Sequence, residues 1–357
     1  MAADSRKSPD SLRVSVLDQT PVPEGTTSAS ALRNSIDLAR HADALGFHRY
    51  WVAEHHASPM IAGPSPEVLI SAIASAVPRM RVGSGGVMLP HYSALKVAEN
   101  FSVLAGLFPN RIDLGLGRAA GTDPETAFAL QRDRRQRSPD DFPQQLAELL
   151  GYLYDRLQRD HPFARLAKLP GLPERPQPWL LGSSHQSALW AAELGLPYAF
   201  ADFINPKGAE IAALYRDRFH PSEENAEPRV MVAVSAIAAD SNEEAERLAS
   251  SMRMAITLLR AGASIAIPTV ETALEFLASN PSPHALPVGR RAVVGDASSV
   301  KSGLDAVARE YGAGEVMVVT ITHDHAARVH SYELIADAFE LDVAMAGENA
   351  AGATQVA

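Results

Sequence analysis

RVSVLDQTPVPEGTTSASALRNSIDLARHADAL, residues 13–45, decides the fold. Residues 13–20 read as a strand, and 28–45 follow with helical spacing at Leu32, Ile36, Ala39 and Leu45. The linker between them, PVPEGTT, is not a glycine-rich dinucleotide fingerprint, which counts against a doubly wound nucleotide fold. The same strand-then-helix unit recurs along the chain. Strands are expected at 48–54, 81–89, 111–118, 178–182, 198–203, 229–238 and 315–322. Helices are expected at 66–77, 93–107, 143–154, 187–194 and 208–219, from 242 onward, and at 326–339. The second opens with Pro66, tolerated where no helical donor is lost. Strands separated by helices pair in parallel through right-handed crossovers, and several here are apolar enough to be covered on both faces. Eight such units predict an α/β fold of the (β/α)8 TIM-barrel type, with inserted loops after strands 4 and 7.

The 357 residues are expected to divide into a disordered tail at 1–12, one barrel over 13–340 and a flexible tail at 341–357. Three stretches exceed ordinary connections: 119–142, 155–177 and roughly 261–314, the last with helical pieces of its own. Excursions of that length are typically lids or binding loops. With no cysteine, disulfides, iron–sulfur clusters, thiolate zinc sites and thiol nucleophiles are excluded. Lys+Arg 32 against Asp+Glu 42 leaves a net charge of −10, which argues against a nucleic-acid or anionic-membrane surface. No apolar run reaches the roughly 18–20 residues of a membrane span. The start, MAADSRKSPDS, lacks the apolar core of a secretory signal, so a cytoplasmic location is expected.

Barrel active sites lie at the carboxyl ends of the strands, which yields a short list. Strand 2 ends in Glu54-His55-His56. Alternation turns only one imidazole toward the mouth, where it can handle protons near neutrality. A structural role for both His is the bland alternative. A zinc site would need a third ligand such as His323 or His325, and no metal is expected. In strand 3, Gly85 and Gly86 mark either a simple bulge or the approach of a flat ligand to the backbone. Arg118 ends strand 4 and suits phosphate or carboxylate. Ser183, Ser184 and Ser187 stand at a helix start, where hydroxyls and free N–H groups serve as an ordinary cap or an anion site. Arg118 beside that helix start would complete a phosphate cradle. The charged run 131–141 reads as a solvated loop. Walker, GxSxG and HExxH motifs are absent.

In order and spacing, YWVAEHH (50–56), VGSGGVMLPHYS (82–93), RIDLGLGRAAGTD (111–123), SSHQSALWAAELG (183–195), VVGDASSV (293–300) and EVMVVTITHDHAARVHSYELIADAF (315–339) resemble the bacterial luciferase-like monooxygenases. These are flavin-dependent barrel oxidoreductases. The resemblance runs from about 13 to 339. It implies that His55 is the catalytic histidine and that Gly85-Gly86 is a non-proline cis peptide supporting the isoalloxazine ring. It further implies that Arg118, Ser184 and Ser187 hold the FMN phosphate. The implied reaction is FMN-dependent: reduced FMN and O2 oxygenate a small organic substrate through a C4a-peroxyflavin, and a separate NAD(P)H:flavin reductase supplies the reduced flavin. A homodimer packed through barrel helices is also implied. The luciferase itself carries an acidic residue where this chain has Ser183 and a reactive cysteine where it has Gly117, consistent with a non-luminescent enzyme. Deazaflavin-dependent hydride transfer and a non-catalytic flavin-binding barrel are the alternatives.

Overall fold

In β1 (Arg13–Asp18), Val14 and Val16 face the helices while Leu17 faces the barrel interior, so both faces of the strand are apolar and buried. That double burial forces parallel neighbours on each side. The computed structural model describes residues 12–118, 123–131, 134–135, 141–280 and 291–342. β1 is followed by α1 (Ser28–Leu45), β2 (Arg49–Val52), α2 (Pro66–Ala76), β3 (Arg81–Met88), α3 (Ala94–Leu107) and β4 (Ile112–Gly117). Next come α4 (Pro124–Leu130), α5 (Phe142–Leu153), β5 (Gln177–Gly182), α6 (His185–Glu193), β6 (Tyr198–Ala201), α7 (Ala209–Asp217) and β7 (Val230–Ala239). The chain continues through α8 (Asn242–Arg260), α9 (Val270–Ser279), β8 (Ala292–Asp296), α10 (Ala297–Tyr311), β9 (Glu315–Val319) and α11 (His325–Ala338). Strands β1 to β7 pair in parallel in sequence order, and β9 closes the ring between β7 and β1. This is the expected (β/α)8 barrel.

The segment between the seventh and last barrel strands differs from a loop. It holds α8, α9, a ninth strand and α10. Among the described residues β8 pairs with the outer half of β7 alone, Ser235↔Ala292 to Ala239↔Asp296, outside the closed ring. At 10 residues β7 outruns its barrel neighbours, and the overhang gives β8 its edge. The short α4 occupies part of the insertion after β4. Residues 155–177 connect α5 to β5 and so lie at the amino ends of the strands, away from the mouth. Of the tails, 1–11 and 343–357 lie outside the described residues, as do 119–122, 132–133, 136–140 and 281–290. No helix among the described residues is long and apolar enough to cross a membrane.

Local signals set the helix ends. Thr27 caps α1 by accepting from the Ser30 N–H, and Gly46, at φ 86°, closes it in the left-handed region. The amino end of the barrel is plugged by buried charge. Arg49 donates to Glu315 Oε1 at 2.6 Å and to Asp113 Oδ2 at 2.6 Å, while Trp51 Nε1 donates to Asp113 at 2.9 Å. Arg49 and Arg229 both lie over the Trp179 ring, each 4.9 Å from its centroid. Burial alone would raise the Asp113 carboxyl. Arg81 and Arg49 outweigh it and hold the group below the usual carboxylate range. This end of the barrel is structural, and chemistry is left to the other.

Candidate active site

Inward residues follow strand parity. Leu17 and Gln19 continue β1; Trp51, Ala53 and His55 continue β2; Met231, Ala233 and Ser235 belong to β7. Together they line a cavity of about 900 Å³ at the carboxyl ends of the strands, which also takes in Gly85, Gly86, Arg118, Ser184 and Ser187. His55, Gly85, Gly86, Arg118, Ser184 and Ser187 therefore meet in one cavity. Its volume is at the upper end of the roughly 300–1,000 Å³ typical of ligand sites.

Beyond β2, His55 N–H donates to Gly63 O at 2.9 Å, and the chain turns at Ala57, where φ is 49°. Both His55 and His56 line the cavity, and the His56 ring is bonded to the buried Glu54 carboxylate. Glu54 is buried beneath them and accepts three hydrogen bonds. They come from His56 Nε2 at 2.7 Å, the Tyr92 hydroxyl at 2.8 Å and the Met88 N–H at 2.9 Å. Burial, and then the Glu54 charge, push the Tyr92 hydroxyl well above its ordinary pKa, so it stays a donor. His91 meets His56 edge-on with ring centroids 5.9 Å apart. Glu54 thus ties the end of β2 to the end of β3.

Gly85 and Gly86 form a bulge: Ser84 pairs with Leu114, but Val87 with Leu116, leaving one extra residue on β3. The Gly85–Gly86 peptide is cis. Ser84 Oγ donates to Gly115 O at 2.9 Å, and a Cβ on Gly86 would stand 2.7 Å from that same oxygen. Close backbone packing of β3 on β4 explains the glycine, and the same step lines the cavity. The bulge and the ligand-facing readings describe one place.

Arg118 follows β4 on the cavity wall, its guanidinium carbon 5.7 Å from the centre of the Trp190 ring. Ser184 and Ser187 form a reciprocal capping box at the start of α6, and Ser187 Oγ also lies 3.0 Å from the Tyr198 hydroxyl. The hydroxyls are thus engaged in capping, while the His185 and Gln186 N–H groups have no acceptor among the described residues. An anion at this helix start would meet backbone donors beside Arg118.

Sequence reasoning missed three features. The Gln19 side chain reaches the cavity without a hydrogen bond among the described residues; its shared parity with Leu17 is the available signal. Arg291, on the rim, bonds Glu310 at 2.6 Å and sits 3.2 Å from Asp202. Burial raises the Asp202 carboxyl despite its Tyr311 and Arg291 partners. Met231, Met252 and Met317 give one lobe of the cavity a soft apolar wall. Neither His323 nor His325 lines the cavity; they approach Glu24 O at 3.2 Å and Asp37 Oδ2 at 2.9 Å. None of residues 155–177 lines it either, which corrects their reading as a binding loop.

The cavity lies at the carboxyl mouth of a closed (β/α)8 barrel, where enzymes of this fold hold their active sites, and its lining includes His55, His56, Arg118 and Arg291. The chain belongs to the luciferase-like monooxygenase family, whose model matches residues 12–314. It is 42% identical over 328 residues to the luciferase-like monooxygenase of Escherichia coli (strain K12), covering 91% of this chain and 96% of that one. It is 35% identical over 330 residues to the N-acetyl-S-alkylcysteine monooxygenase of Bacillus subtilis (strain 168), covering 92% and 98%. The crystal structure of apo-MsnO8 superposes with a TM-score of 0.85 at 41% identity, over 93% of this chain and 99% of that one. Two more distant structures share the fold. One is the oxygenating constituent of 3,6-diketocamphane monooxygenase from Pseudomonas putida in complex with FMN (TM-score 0.69, 18% identity, 91% and 97% coverage). The other is an F420-dependent secondary alcohol dehydrogenase with an F420–acetone adduct (TM-score 0.62, 12% identity, 92% and 99% coverage).

Proposed function

We propose that the protein is an FMN-dependent monooxygenase that oxygenates a small organic substrate with reduced flavin and O2. The supporting observation is that one cavity joins a backbone floor at Gly85-Gly86, imidazoles at His55 and His56, and a cationic helix start at Arg118 and α6. The residues fit the cofactor. A planar ring needs a wall without Cβ atoms, and a phosphate dianion suits Arg118 with the His185 and Gln186 N–H groups. FMN bound here would supply the electrons that activate O2, so that one oxygen atom enters the substrate and the other leaves as water.

The chain's own residues then have defined tasks. Arg118 and α6 anchor the phosphate. Gly85 and Gly86 admit the ring edge to the backbone. His55 accepts or donates a proton at a ring nitrogen facing the cavity. Leu17, Trp51 and the methionines exclude water from the reacting face. A separate NAD(P)H:flavin reductase delivers the reduced cofactor. Val68 on α2 and Leu107 on α3 are 67% and 62% exposed, large apolar side chains that a second copy of the chain would cover in a homodimer. The functional test is oxygen uptake with reduced FMN across a substrate panel. Uptake coupled to substrate loss supports the reading. Substrate loss without oxygen uptake would assign the hydride-transfer chemistry instead.

A further inference from the structure

The cavity is larger and less polar than its anion-binding end requires. The wall built by β7, β9 and α8 contributes Met231, Met317, Met252, Ile256 and Leu259, and no Asp, Glu, Lys or Arg side chain. A charged group pressed against it would lose water without gaining a partner. Methionine side chains are flexible and polarizable, so they pack against chains of varied shape. Arg291 stands at the rim, already bonded to Glu310 and Asp202. Gln19 lines the same cavity from just beyond the carboxyl end of β1, nearer the mouth than Met231 and Met317. The β1 register sets it beside Ala53 of the β2 strand end and Ile321 of the β9 end, both on the cavity wall. Its amide offers two donors and one acceptor with no partner among the described residues, an arrangement that favours one neutral polar group.

We infer that the substrate is a neutral amphiphile, with a hydrogen-bonding head on the Gln19 amide and an apolar arm in the methionine-lined lobe. The inference rests on the flavin assignment above, which places the cofactor at Gly85-Gly86 and Arg118 and leaves this lobe to the substrate. Gln19 is a specificity-determining residue in this account.

The test is calorimetric titration of the full chain, with and without FMN, using N-butyl-, N-hexyl- and N-octylacetamide as neutral probes. Octanoate and octylammonium serve as charged controls. Affinity is expected to rise about fourfold per methylene until the lobe is filled, with both controls at least tenfold weaker than N-hexylacetamide. Gln19→Leu should weaken the whole series by about fivefold and keep its slope, because only the head contact is lost. Met252→Trp should abolish the gain beyond the butyl probe and keep the head contact. Flat chain-length dependence, a charged control as tight as the neutral probe, or an unchanged Gln19→Leu would each overturn the inference. If either variant fails to fold, the wild-type comparison of neutral with charged probes decides. A separate FMN titration tests the flavin assignment: absent FMN binding would sink that assignment, while the acetamide series still decides the substrate class.

Discussion

In the proposed reaction His55 and Arg118 have separate tasks. His55 follows Trp51 and Ala53 on the inward parity of β2, whereas the proposed phosphate site is formed by Arg118 and the start of α6. His55→Ala should therefore leave FMN affinity within about twofold while lowering substrate oxidation by about 100-fold or more, the range for a lost proton-transfer group. Flavin-fluorescence titration and oxygen uptake on the same preparation check the two halves, and unchanged turnover would remove His55 from the mechanism. At this scale the sequence was informative about which residues converge, because strand ends and glycine breaks are local signals. Gln19 escaped because one polar residue at the end of an apolar strand carries no pattern of its own.

Between the elements, Glu54 is the joint. Its carboxylate accepts from His56, from Tyr92 beyond β3, and from the backbone of Met88. Removing one of those donors leaves a buried acceptor short of a partner. Tyr92→Phe should keep the fold and cost about 1–2 kcal/mol, read from the urea midpoint, because the buried carboxylate loses one of its three donors. A midpoint identical to wild type would make the Tyr92 hydroxyl dispensable. Eight of the nine strands were legible, as were the helices that cover the barrel except α10, which packs on β7 and β9. β8 was not: AVVGD, four half-buried residues and a buried glycine, follows a proline-bearing stretch, and among the described residues its strand partner is the overhang of β7. Such an edge depends on tertiary pairing that no local period reveals. Residues 155–177 were misread for a related reason. Length marks a connection as unusual, but only its place after a helix shows that it lies at the wrong end of the barrel.

Across the whole molecule, stability and chemistry sit at opposite ends of the strands. Arg49→Met would strip Asp113 and Glu315 of their shared cation and should cost about 3–5 kcal/mol, read from the shift in the urea midpoint. His48, flanking Arg49, is pushed down to about 3 by burial and then by the Arg49 charge. The unfolded chain binds a proton on this residue below about pH 6.5 while the folded chain does not, so stability falls with pH from there toward 3. The slope this one group adds is at most about 1.4 kcal/mol per pH unit. His48→Gln should flatten that window in denaturation at pH 7 and pH 5; an identical difference in both proteins would refute the assignment. Asp113 and Glu315 are lowered instead, so their stabilisation is present above about pH 4 and is lost only in stronger acid. The site at the other end rests on one claim, that the cavity is built for a flavin carrying a phosphate. Its most direct measurement is equilibrium titration of FMN and riboflavin into wild type and Arg118→Ala. The account predicts that wild type binds FMN at least tenfold more tightly than riboflavin and that Arg118→Ala erases most of that preference. Equal affinity for the two flavins in wild type, or binding of neither, would contradict it.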